Sequence, residues 1–354
     1  MVPPDGPPEP SPRIGRGAAV AATILSGWLY SRCFPTASVQ PLAWVALVPF
    51  LVVVGASSRS RAAGLGWLVM LVLAYGVNDW FPRAVSTYYL QPAIVGVGFF
   101  LGVTTFTAAP ATILIALRYR RAAAAASPWL PLTAAAAWVG GELLRTRVLG
   151  DPWVLFGYSQ VGIDPVVQVA DLAGVYGVSF VLVTVNVAIA ETLRAAASGR
   201  QRPTRAAAGL GIAAVVVVVA LGYGALRLRA LDRETLETSR TVAVVQANLD
   251  LGSQWQQSFY GRNLDRYLRL TVDQLARGDA DLVVWPESAN TFFLDDEPAY
   301  RRAIASVLRP SGAQLVTGGP SIDAGHPPVY WNSAFLVAPV GDVVGRYDKR
   351  WLLP

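Results

Sequence analysis

The chain has 354 residues, 53% hydrophobic and 15% charged, with a mean hydropathy of +0.42 and a formal net charge of +6. A soluble domain carries about 25% charged residues, so the balance points to lipid as the main solvent, and the length suggests roughly two domains. One cysteine, Cys33, and one histidine, His326, exclude an intrachain disulfide framework, a cysteine-rich zinc site and a multi-histidine metal centre.

Residues 1–16 open with a proline-rich, acidic run that reads as a disordered cytoplasmic segment. Seven apolar stretches follow, at about 17–34, 41–56, 62–81, 92–117, 128–145, 167–192 and 206–226. Most approach the roughly 20 residues that cross a hydrocarbon core. Residues 17–226 therefore read as a membrane domain of about seven helices.

The arginines orient it. With the N-terminus cytoplasmic, the inner segments hold Arg13, Arg16, Arg59, Arg61, Arg118, Arg120, Arg121, Arg194, Arg200, Arg202 and Arg205. The outer ones hold Arg32, Arg83, Arg145 and Arg147. Eleven against four is the positive-inside bias, so residues 227–354 are expected outside the cytoplasm. The net charge is then a topology signal, and no aromatic-plus-basic motif makes nucleic acid a partner.

The outer loop Gly150-Asp-Pro-Trp-Val-Leu-Phe-Gly-Tyr-Ser-Gln160 reads as an interfacial anchor or as a wall of a lipid-facing pocket. Within the spans, Glu142, Asp171 and Asn186 are either functional or helix-to-helix hydrogen-bonding groups. Cys33, at the end of the first span, reads as a small packing residue.

From residue 240 the pattern changes. Segments 241–247, 281–285, 314–318, 333–337 and 342–347 read as strands. Leu264, Leu268, Val272 and Leu275 share a helical face, and 299–309 reads as a second helix. This is an α/β layered domain. His326, in Asp323-Ala-Gly-His-Pro-Pro328, sits in a turn-like stretch without a nucleophile motif and reads as a solvated loop residue.

Glu287 follows a buried strand in Val283-Val-Trp-Pro-Glu-Ser-Ala289. Held by the rigid Trp-Pro step against a low-dielectric rim, its pKa is expected to rise, as suits a general base; the bland alternative is a solvated glutamate. Lys349 is the one lysine in a chain that otherwise uses arginine, which suggests a site needing a compact ammonium.

These motifs resemble the apolipoprotein N-acyltransferases, a membrane-embedded branch of the nitrilase (carbon–nitrogen hydrolase) superfamily. The resemblance is carried by Pro152-Trp-Val-Leu-Phe-Gly-Tyr-Ser-Gln160, Gly174-Val-Tyr-Gly-Val-Ser-Phe180 and Val242-Ala-Val-Val-Gln-Ala-Asn248. Val284-Trp-Pro-Glu-Ser-Ala289, Asn332-Ser-Ala334 and Tyr347-Asp-Lys-Arg350 complete it.

The resemblance implies a multi-pass helical membrane domain followed by part of a nitrilase-like αββα sandwich, in a bacterial inner membrane. It implies a Glu-Lys-Cys triad with Glu287 as general base and Lys349 as oxyanion stabiliser, Trp255 as a pocket-lining residue, and no metal or cofactor. The implied reaction moves an acyl chain from a phospholipid to the amine of a diacylglyceryl-cysteine apolipoprotein through a cysteine thioester.

Two departures bear on this. Trp351 stands where the family commonly has histidine, and the sequence ends at Pro354 before any residue that matches the nucleophile. The expectation is a C-terminally truncated, inactive chain. The alternatives are a membrane-tethered amidase of the same superfamily and a catalytically dead lipid- or lipoprotein-binding fragment.

Overall fold

The computed structural model describes residues 14–35, 37–125, 127–197, 203–233, 239–249 and 256–350. The chain divides into two compact units, Met1–Glu234 and Thr235–Pro354. The first 13 residues, Arg200, Arg202 and Trp255 lie outside the described residues.

The first unit is helical. Its elements are α1 (Arg16–Arg32), α2 (Val48–Gly55), α3 (Arg59–Val77), α4 (Phe81–Tyr88), α5 (Ala93–Val103), α6 (Ala109–Ala125), α7 (Leu130–Arg147), α8 (Asp164–Val167), α9 (Ala170–Ala197) and α10 (Pro203–Leu231). A π-helical segment, Thr104–Ala108, joins α5 to α6, making one apolar helix of 33 residues. Helix starts are locally encoded: Ser58 caps α3 by accepting from the Arg61 N–H (3.4 Å), and proline opens α2, α4 and α7.

Each of the seven apolar stretches contains helix. Among the described residues four helices are long and apolar enough to cross a membrane: Arg59–Val77, Ala93–Ala125, Ala170–Ala197 and Thr204–Leu231. α9 is broken near its start, where Ala173 and Gly174 leave helical geometry and Gly174 takes φ +61°. A side chain disfavours that left-handed backbone, so glycine is the residue that permits the break.

Two of the polar groups flagged within the spans join helices. Asn186, fully buried, donates to the Ala43 and Leu182 carbonyls (2.8 and 2.9 Å) and accepts from the Leu47 N–H (2.9 Å). Asp171 accepts from the Tyr223 hydroxyl (2.6 Å) and from Arg227 (3.1 Å). Every such bond removes a polar group from lipid, which is why these positions hold helices together.

The second unit is a five-stranded mixed sheet in the order β1-β2-β3-β4-β5. The strands are β1 (Val242–Val244), β2 (Leu282–Val284), β3 (Gln314–Asp323), β4 (Val329–Val337) and β5 (Val343–Asp348). β1, β2 and β3 run parallel, and β3-β4-β5 form an antiparallel meander. Helices α11 (Tyr260–Leu275) and α12 (Pro298–Leu308) supply the crossovers that parallel strands need.

Their apolar faces meet the sheet in a core that includes Leu264, Tyr267, Val283, Ile304, Leu315 and Phe335. β3 and β4 run well beyond the predicted 314–318 and 333–337. β2 pairs only with Gln314–Val316. Pro320 lies beyond that pairing, where its missing N–H costs no ladder bond.

Candidate active site

The tip of β2 delivers the first residue. Trp285 continues the strand, its N–H donating to the Val316 carbonyl (2.9 Å). Its indole is buried, stacks on Tyr267 with centroids 5.0 Å apart, and donates to the Thr271 hydroxyl (2.9 Å). Chain direction is thus fixed one turn before Glu287. Ser288 then adopts φ +59°, a left-handed geometry that costs a non-glycine residue roughly 1–2 kcal/mol. The Asn290 N–H closes the turn on the Gly318 carbonyl (2.9 Å).

Gly318 makes this approach possible. A Cβ there would lie 2.8 Å from Glu287 Cα and 3.0 Å from the Ser288 nitrogen. Any larger residue would push the Glu287 turn off β3.

The second residue comes from the end of β5. The Lys349 N–H donates to the Asn332 carbonyl (2.8 Å), extending the β4–β5 ladder by one residue. Ser333 is paired with Asp348. Side chains alternate along strands, so Asn332 and Lys349 share one face and Ser333 and Asp348 the other.

On the first face the side chains converge. Lys349 Nζ lies 2.9 Å from Glu287 Oε1, and the Asn332 amide donates to the same oxygen at 2.6 Å. On the second face Asp348 accepts from Ser333 (2.6 Å) and from two nitrogens of Arg346 (2.7 and 3.1 Å). Arg346 also reaches Asp323 (3.1 Å), and Ser333 meets Ser321 (2.8 Å). This ladder ties three strands together directly behind Lys349.

The expected upward shift of the Glu287 pKa is overturned. The Lys349 ammonium first, and the Asn332 amide second, hold the carboxyl below the ordinary glutamate range. Its side chain is 62% exposed and that of Lys349 37%, so little desolvation opposes them. No low-dielectric rim encloses the carboxylate; a nearby cation on a solvated group sets the direction of the shift.

The two residues predicted to act together are therefore brought together. Asn332, quoted in sequence only within a motif, is a third member of the cluster. Its signal was cross-strand register with Lys349, which appears once β4 and β5 are paired. Cys33 is elsewhere: it is buried in the helical unit and donates to the Leu29 carbonyl (3.3 Å), the packing role expected of it. His326 is exposed between β3 and β4. A carboxylate, an ammonium and an amide on one rigid sheet edge can accept a proton and donate to a developing oxyanion.

Comparison with known proteins agrees with this architecture. Residues 26–188 match the apolipoprotein N-acyltransferase N-terminal domain, and residues 241–354 match the carbon-nitrogen hydrolase family. The chain is 34% identical to an apolipoprotein N-acyltransferase of Geobacter metallireducens, over 94% of this chain and 63% of the relative. Proteins of the same name from Caulobacter vibrioides (33% identical, 68% of this chain and 45% of the relative) and Chlorobaculum tepidum (27%, 94% and 63%) are also similar. The chain thus spans at most about two-thirds of the length of these relatives. Along nearly its whole length it resembles the apolipoprotein N-acyltransferases, joining a helical region like their N-terminal domain to a carbon–nitrogen hydrolase domain with a mixed sheet.

Proposed function

We propose that this protein takes part in lipoprotein maturation, passing an acyl chain from a phospholipid to the free amine of a diacylglyceryl-cysteine at an apolipoprotein N-terminus. The contact that carries the reading is Lys349 Nζ on Glu287 Oε1 at 2.9 Å. It sits at strand tips in the hydrolase domain of a chain whose other unit is made of apolar helices.

In the first step a cysteine thiol loses its proton to Glu287 and its sulfur attacks the phospholipid ester carbonyl. The Lys349 ammonium stabilises the oxyanion, the carbon–oxygen bond breaks, and the lysophospholipid leaves with the proton. In the second step the acceptor amine attacks the thioester carbonyl, the carbon–sulfur bond breaks, and an amide forms as a proton returns to the sulfur. Dividing one aminolysis into two acyl transfers is the gain of covalent catalysis. Holding both lipid-anchored substrates at one bilayer surface adds proximity.

In this scheme the membrane domain covers residues 17–226 with about seven spans in the inner membrane, the hydrolase domain is extracytoplasmic, and Trp255 lines the substrate pocket. The thiol is not Cys33, which is buried in the helical unit. As the sequence has no other cysteine, these 354 residues alone are expected to form no thioester.

The test is to incubate the protein made from its own gene, in phospholipid vesicles, with a fluorescent phospholipid and a diacylated lipopeptide. The proposal expects N-acylated peptide and a thioester that hydroxylamine cleaves. Release of free fatty acid with no acylated peptide would replace it with a membrane-tethered amidase. Neither product would leave a lipid- or lipoprotein-binding protein.

A further inference from the structure

Glu142 and Arg145 lie one turn apart on α7, 5% and 4% exposed, inside the helical unit. The proposed acyl transfer does not use them, and charged groups in such surroundings need partners. Glu142 Oε1 has two: it accepts from the Trp138 indole (3.1 Å) and from the Phe156 N–H (2.8 Å). Arg145 donates to the Trp153 carbonyl and to Met70 Sδ (3.6 Å).

Two atoms remain. Glu142 Oε2 and Arg145 Nε are buried and make no hydrogen bond among the described residues. Asp151 Oδ2 stands 4.0 Å from Nε, too far to serve. Ser179 lies near the Glu142 carboxylate; its oxygen accepts from the Gly157 N–H (2.8 Å), and its own hydroxyl hydrogen makes no bond to Oε2.

The unmet pair is one acceptor and one donor, and both side chains line the same cavity of about 20 Å³, with Tyr30, Met70, Leu73 and Ala111 among its other walls. A cavity needs about 10–15 Å³ to admit a water, and a buried water typically has two to four polar partners.

We propose that this cavity is a binding site for a single water molecule, which accepts from Arg145 Nε and donates to Glu142 Oε2. The water completes a clamp on the loop after α7. Glu142 holds the Phe156 nitrogen, Arg145 the Trp153 carbonyl, and the Tyr30 hydroxyl the Val154 carbonyl (3.3 Å). Trp153 and Tyr158 on that loop face outward, so the clamp fixes where two interfacial aromatics stand.

A structure of the protein in lipid nanodiscs, at a resolution that shows ordered solvent, tests the site. The expected result is one density peak about 3 Å from both atoms. An empty cavity, a direct Arg145–Glu142 contact, or the Ser179 hydroxyl turned onto Oε2 would overturn it. The clamp is tested with Ala111→Val, which fills the cavity from α6 and leaves both charged residues in place. Amide exchange across residues 153–157 is expected to quicken about tenfold, the effect of an unmet buried hydrogen bond. Unchanged exchange with the water displaced would overturn the clamp. If the valine variant does not fold, Ala111→Cys makes a smaller intrusion whose thiol, a weak hydrogen-bonding group, displaces the water without replacing its bonds, with the same readout.

Discussion

In the helical unit Glu142 and Arg145 are buried, while Ile94 and Phe106 are 74% and 77% exposed. In the α/β unit the order reverses: Val283 and Leu315 are fully buried, and Glu287 and Lys349 stand at the surface. Each unit hides what its solvent rejects. Lipid rejects charge, so the helical unit buries Glu142 and Arg145 and uses them to pin the loop after α7. Water rejects apolar surface, so the α/β unit sinks its aliphatics and leaves its charges at strand tips. The same carboxylate is thus a structural fastener in one unit and a candidate reagent in the other.

Four variants and conditions can break or sharpen that contrast. The largest effect is expected from Glu287→Gln, which keeps the shape and removes the base. In the protein made from its own gene, N-acylation is expected to fall by about 10²–10⁴-fold, the usual worth of a general base, with the melting temperature nearly unchanged. A large fall in stability would make Glu287 structural as well. Glu142→Leu is expected to do the opposite. It leaves the Phe156 N–H and the Trp138 indole without their acceptor, and an unmet buried donor costs about 1–3 kcal/mol, to be read as a drop in melting temperature in detergent. Equal stability to the parent chain would show that the loop after α7 does not depend on Glu142.

Gly318→Ala comes next. Its Cβ meets the Glu287 backbone at 2.8 Å, and kcat is expected to fall by about 10–100-fold, the scale of a small misplacement of a reacting group. The last effect is a shift in pH dependence. Because Lys349 and Asn332 depress the Glu287 pKa, the stabilisation of this pair is complete above the ordinary glutamate value of about 4.3. It is lost only as pH falls through the lower folded value. The acid limb of activity is expected below about 4.3, and to move up towards it in Lys349→Met. An acid limb that does not move would uncouple the two side chains.

The contrast also explains what the amino-acid sequence made legible. Apolar runs identify helices because lipid tolerates little else, and each of the seven contains helix. Glu287 and Lys349 stood out because one ends a buried strand and the other is the lone lysine. Less legible was anything set by contact across elements. The Glu287 pKa ran against expectation because a cation 62 positions away fixes it. Asn332 gained its place only through β4–β5 register, and the extension of β3 to Asp323 and of β4 back to Val329 shows only in their mutual pairing.

A double-mutant cycle on N-acylation tests the central claim most directly, using Glu287→Gln, Lys349→Met and the two together. If the carboxylate and the ammonium act as one unit, the double variant will be about as slow as the slower single variant, since residues that act together are strongly non-additive. Rate losses that simply multiply would mean that the two residues act independently, and that their contact is an ordinary surface ion pair.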